Sequence, residues 1–164
     1  MDDSRFKVLF LDVGLLNRSC GLGISEFEGV VDAMTVNAGA VCEQFVGQHL
    51  MYQQQSFEEP ELFYWVREKK ISNAEVDYLL SIGTNIVPVE VKAGKSGTLK
   101  SLQVFLCEKE RDIGLRFNSD LPSLMNTMTN IPAGNNRPFK LLSLPLYMIG
   151  QAKRLIGSCH CESS

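Results

Sequence analysis

The sequence predicts one soluble α/β or α+β domain built around a single mixed β-sheet. β-branched and aromatic runs of strand length recur between residues 62 and 117. Apolar patterns at helical spacing, over residues 38–52 and 98–110, are interleaved with them. A chain of 164 residues, 45% hydrophobic and 21% charged, suits one domain with a substantial core and excludes a disordered or fibrous chain.

Taken in order, residues 6–12 read as a first strand, closed by Gly14. Residues 21–37 read as irregular, since Gly21, Gly23 and Gly29 interrupt any pattern. Val41, Phe45, Val46 and Tyr52 then fall at helical spacings, with Asn37 placed as an N-cap. A solvated loop around Gln53–Pro60 leads to strands at 62–67, 74–80 and 86–91, the last two joined at Gly83-Thr84-Asn85. The helix at 98–110 carries Leu102, Phe105 and Leu106 on one side, and a strand follows at 113–117. Residues 120–138 are polar with three prolines, and 140–149 form a last apolar segment. The chain divides into an N-terminal strand and linker (1–37) that could end an upstream domain, a main domain (38–157) and a flexible tail (158–164).

Charge and cysteine content narrow the function classes. Sixteen Lys+Arg against nineteen Asp+Glu leave a net charge of −3, so binding to nucleic acid would need a local basic patch. Cys20, Cys42, Cys107, Cys159 and Cys161 are odd in number and scattered, which excludes a disulfide framework and points to a reducing, cytoplasmic setting. The apolar stretch at 8–11 is cut by Asp12 and preceded by Asp2 and Asp3, so it is neither a signal peptide nor a membrane span.

The chemistry concentrates in two strands. A hairpin closing over Gly83-Thr84 sets Asp77 against Glu90, and Glu75 against Lys92. Side chains alternate along a strand, so Glu90 and Lys92 share a face. Two carboxylates set against each other repel, and a divalent cation such as Mg²⁺ or Mn²⁺ is the simplest agent to compensate. Glu75 is read as the partner of Lys92 rather than a metal ligand. Two acids, a metal and a lysine are what phosphodiester hydrolysis requires: the metal activates a water and steadies the phosphate oxygens, and the lysine assists the nucleophile. Glu43, on the upstream helix, is a third acid within potential reach, and Gly47 one turn on leaves room around it. Lys95, Lys100 and Gln103 follow the site and are candidates for contacting a nucleic-acid backbone, beside a helix N-terminus that would also favour phosphate. Lys109, Arg111 and Arg116 extend the same basic stretch.

Other motifs fail on spacing or context. Gly94-Lys95-Ser96 resembles the end of a P-loop, but Val89 stands where the first glycine belongs. Gly21-Leu22-Gly23 begins a dinucleotide fingerprint and meets Glu26 at its third glycine. Cys159-His160-Cys161 lacks the second cluster that a structural zinc site needs. Cys42, Cys107, His49, Tyr64 and Trp65 read as packing residues.

Glu43, Asp77 and Glu90-Val91-Lys92 together resemble the PD-(D/E)XK nuclease superfamily, with Val76 in place of its proline. More narrowly, Lys7-Val8-Leu9-Phe10-Leu11-Asp12-Val13-Gly14-Leu15, Glu43-Gln44-Phe45-Val46, Ala74-Glu75-Val76-Asp77-Tyr78 and Val87-Pro88-Val89-Glu90-Val91-Lys92-Ala93-Gly94-Lys95-Ser96 resemble the C-terminal domain of unknown function attached to bacterial and archaeal AAA-type ATPases. The resemblance runs from about residue 6 to 149 and implies a restriction-endonuclease-like three-layer α/β/α fold. It further implies metal ligation by Asp77, Glu90 and Glu43, a catalytic Lys92, DNA as substrate, and an ATPase domain in the same or another chain as partner. Double-strand cutting would call for a homodimer. The competing expectation is a catalytically inactive nuclease-fold module that binds DNA or protein and regulates an ATPase.

Overall fold

In the computed structural model, which describes residues 6–21, 38–68, 73–94, 97–131 and 136–161, the apolar runs settle into a six-stranded mixed sheet with helices on both faces. This is a three-layer α/β/α arrangement. The first regular element is helix α1 (Val13–Ser19), started by Asp12, whose carboxylate accepts the Leu15 N–H at 2.9 Å. The strand expected at 6–12 is therefore not formed, and Gly14 lies inside a helix. Residues 6–10 instead run beside helix α2 (Ala38–Tyr52). Gln44 of α2 exchanges two hydrogen bonds with the Phe10 backbone, at 3.0 and 2.8 Å, and Gln48 donates to the carbonyls of Phe10 and Leu11. Those amide side chains supply what a neighbouring strand would have supplied. The irregular stretch expected at 22–37 and the Asn37 cap lie outside the described residues.

Strands β1 (Phe63–Arg67), β2 (Ala74–Ile82) and β3 (Asn85–Val91) form an antiparallel meander at one side of the sheet. The β2–β3 turn closes as expected, Ile82 opposite Asn85, with Gly83 at φ +59° in the left-handed region that glycine enters without strain. Helix α3 (Lys100–Glu108) then crosses to β4 (Ile113–Asn118), which lies parallel to β3. Strand β5 (Ser123–Met128) arises inside the polar 120–138 segment and pairs antiparallel with β6 (Pro138–Pro145), itself parallel to β4. A 3₁₀ helix (Leu146–Gln151) leads into α4 (Ala152–Cys161). Helix α4 overruns the tail expected from residue 158: Cys159 is buried, and its carbonyl accepts from Lys140 Nζ at 2.7 Å.

Strand alternation splits the core in two. On one face Tyr78, Leu80, Val89, Val91, Leu115, Phe117 and Leu144 meet Val46 and Leu50 of α2 together with Ile149 and Ile156. On the other, Leu102 and Leu106 of α3 cover Phe139 and Leu141. A Cβ at Gly114 would lie 2.8 Å from Leu102, so glycine there lets α3 seat on the sheet. Among the described residues, no helix is long and apolar enough to cross a membrane.

Candidate active site: carboxylates and lysines at the β2–β3 split

The β2–β3 ladder ends at Tyr78 opposite Val89. One step further the Asp77 carboxylate, not its backbone, meets β3, accepting the Val91 N–H at 2.7 Å. The Lys92 N–H turns to β4 and donates to the Phe117 carbonyl at 2.8 Å. The hairpin thus brings Asp77 beside Glu90, as the turn length predicts. Burial, then the charge of Glu90, push the Asp77 carboxyl up to about 7; the Val91 hydrogen bond opposes them, and Glu43 adds to the rise.

Glu90 is only 6% exposed. Its Oε1 pairs with Lys92 Nζ at 2.5 Å, whereas its buried Oε2 has no hydrogen-bond partner among the described residues. Burial raises the Glu90 carboxyl above the ordinary carboxylate range, against the pull of Lys92. A Cβ at Gly97 would lie 2.8 Å from the Lys92 side chain, so this glycine leaves the lysine its path back to Glu90.

Glu43 approaches from α2, where Tyr78 donates to its carbonyl at 2.9 Å. Its carboxylate is held by Lys7 at 2.7 Å. Lys7 also pairs with Glu75 at 2.9 Å, donates to the Asp77 carbonyl at 3.2 Å, and lies 5.4 and 5.3 Å from the Tyr64 and Tyr78 ring centres. Burial alone would lower the Lys7 pKa, but Glu43 and Glu75 together raise it. The expected Glu75–Lys92 pair is not formed. The ladder ends before those residues oppose each other, so Glu75 takes Lys7 and Lys92 takes Glu90. Among the described residues, no three His, Cys, Asp or Glu side chains are arranged to hold a metal ion, although the charge of Glu43 adds to the rise of both Asp77 and Glu90.

Residues 38–147, more than half of the chain, match the family model described as Domain of unknown function (DUF4143). The chain belongs to the DUF4143 family. No curated protein and no solved structure matches it.

In this DUF4143 domain the other predicted residues have mixed fates. Lys95 lies outside the described residues. Lys100 is exposed at the start of α3, near the site, where the Ser101 hydroxyl accepts the Glu75 N–H at 3.4 Å. Gln103 is committed to the fold, its amide oxygen accepting the Asn130 N–H at 2.7 Å. His49 packs on Phe45, its Nδ1 2.8 Å from the Phe45 carbonyl, and Trp65 meets Phe105 edge-on. A cleft of about 590 Å³ opens on the Lys7–Glu75 flank of the DUF4143 site, lined in part by Phe6 and Tyr64. Lys7 is the residue that sequence reasoning missed. Its only local signal is a single cation ahead of an apolar run, and its partners lie more than thirty residues away.

Proposed function

We propose that this DUF4143 domain is a metal-dependent phosphodiester hydrolase of the PD-(D/E)XK kind, acting on DNA. The observation that carries this reading is the buried, unpartnered Oε2 of Glu90 beside the raised carboxyl of Asp77. A buried carboxylate oxygen without a donor is costly, and a cation would remove that cost. The donor set fits Mg²⁺ or Mn²⁺: hard oxygens from two carboxylates, a number Mg²⁺ commonly takes from protein while waters and phosphate complete its shell. A bound ion would supply Lewis acidity and a water of lowered pKa. Asp77 and Glu90 would hold it, Asp77 giving up its proton on loading. Lys92, anchored by Glu90, would orient the attacking water and offset charge on the phosphate. Glu43, steadied by Lys7, would act from outside the metal shell, and exposed Lys100, with Lys95, would meet the nucleic-acid backbone. Domains of this family are often attached to AAA ATPases, so an ATPase domain is the proposed partner.

The second reading is a catalytically silent module that regulates such an ATPase. The Lys7–Glu43 pair favours it, because an internal cation already occupies the third acid. Calorimetric titration with Mg²⁺ and Mn²⁺, run beside plasmid nicking, separates the two. The hydrolase reading expects metal uptake and nicking, both abolished by Asp77→Asn with Glu90→Gln. DNA binding without cleavage, indifferent to metal and to these substitutions, would establish the silent module instead.

A further inference from the structure

A file of polar side chains crosses the sheet next to the candidate site. Glu90 on β3 is in register with Arg116 on β4, Arg116 with Ser143 on β6, and Ser143 with Ser123 on β5. Residues in register on neighbouring strands project to the same face, so these four form one transverse row. The preceding row on that face holds Gly114 and Leu141, and it lies under Leu102 of α3. The polar row therefore sits two residues closer to the C-terminal ends of β3, β4 and β6. Three of its four members are withdrawn from solvent, Ser143 at 1% exposed, Glu90 at 6% and Arg116 half-buried, whereas Ser123 on the edge strand is exposed.

Arg116 is the odd member of this row. Its Nε donates to Ser143 Oγ at 3.1 Å, which leans the side chain toward β6. Glu90, its neighbour on the other side, is already paired with Lys92. Among the described residues no carboxylate pairs with Arg116. The guanidinium is held at Nε by a neutral hydroxyl, and its planar fork fits two phosphate oxygens at once.

We infer that Arg116 is a substrate-binding residue that grips a phosphate adjoining the one handled at Asp77 and Glu90. The substrate is accordingly a polynucleotide whose backbone crosses the C-terminal ends of β3, β4 and β6 toward Ser143, and not a mononucleotide or small phosphodiester. This inference rests on the phosphodiesterase reading for what lies at Asp77 and Glu90, but it is tested without catalysis.

The probe is a fluorescein-labelled DNA duplex of about two helical turns, titrated with the full chain and followed by anisotropy in EDTA from about 50 to 200 mM salt. Arg116→Gln is expected to flatten the slope of log affinity against log salt by about 0.9, the loss of one phosphate contact. Its Mg²⁺ uptake in calorimetry is expected to match wild type. Arg116→Lys is expected to keep the slope and bind several-fold more weakly, because a point charge replaces the fork. No binding of DNA by wild type, or a slope untouched by Arg116→Gln, overturns the inference. Should Arg116→Gln fail to fold, Arg116→Lys decides: affinity equal to wild type at every salt concentration overturns it. An Arg116-dependent slope in a protein that takes up no Mg²⁺ upholds Arg116 and defeats the hydrolase reading. Metal uptake through Asp77 and Glu90 with a slope indifferent to Arg116 does the reverse.

Discussion

Asp77 has two tasks that oppose each other. Its carboxylate replaces a backbone acceptor by taking the Val91 N–H, yet burial and Glu90 make its charge costly. With the folded-state value pushed up from 3.8 to about 7, the folded protein keeps a proton that the unfolded chain has already released. The sign follows directly: this group's contribution to stability is greatest below its ordinary pKa, falls as pH rises through the window from 3.8 to about 7, and is flat above it. Asp77→Asn keeps an oxygen for Val91 and removes the charge. Relative to wild type, its stability should rise between acid pH and pH about 8 by about 2 kcal/mol, a figure discounted for the partial exposure of the group. Urea unfolding at a series of pH values checks this, and a difference that is independent of pH would show that Asp77 is not strained by its neighbours.

At the scale of elements, the seat of α2 on β2 is what brings Glu43 to the site. A Cβ at Gly47 would lie 2.6 Å from the Tyr78 hydroxyl oxygen, and Tyr78 is buried with that hydroxyl bound to the Glu43 carbonyl, so the ring has nowhere to go. Gly47→Ala gains about 1 kcal/mol of helix propensity but overpacks this contact, for a net loss of about 1–2 kcal/mol. In a Tyr78→Phe background the penalty should shrink, and a double-mutant cycle by urea unfolding measures the coupling; additive effects would separate α2 from Tyr78. The same contrast between local and distant partners explains what the sequence revealed. Helix 38–52 and the β2–β3 register were legible because periodicity and a short Gly-Thr turn are local signals, and that register alone placed Asp77 beside Glu90. Strand β5 was not legible, since an edge strand exposed on both faces carries no alternation. Residues 6–12 were misread because their apolar composition suits a strand, while the amides of Gln44 and Gln48 that bind them lie far along the chain. Asp12, an N-cap residue type directly before α1, is a local signal for that helix in the sequence. The Glu75–Lys92 error has another origin, a ladder that stops one step early so that Asp77 can reach Val91.

For the whole molecule, the buried Asp77–Glu90 pair is a reservoir of electrostatic cost that a cation would relieve, and the relief is tied to a proton. Burial and the charge of Glu90 raise the Asp77 carboxyl to about 7, so an ion bound there would displace the Asp77 proton. Metal affinity should therefore strengthen as pH rises to about 7 and level off above it, across the window in which the metal-free protein loses stability. Binding to the folded state alone adds RT ln(1 + [L]/Kd), about 2.7 kcal/mol at a hundredfold excess over Kd. For a chain of this size that corresponds to a rise in melting temperature of about 5–10 °C. Thermal melts with Mg²⁺ or Mn²⁺ at pH about 8 should show this rise, and melts at pH about 5.5, below the raised Asp77 pKa, should show much less of it. Calcium at the same concentrations tests whether the site selects small, hard ions. A melting temperature unmoved by Mg²⁺ or Mn²⁺ at either pH would mean that the paired carboxylates bear their repulsion unaided, leaving Lys7 and Lys92 as the cations that hold this end of the sheet together.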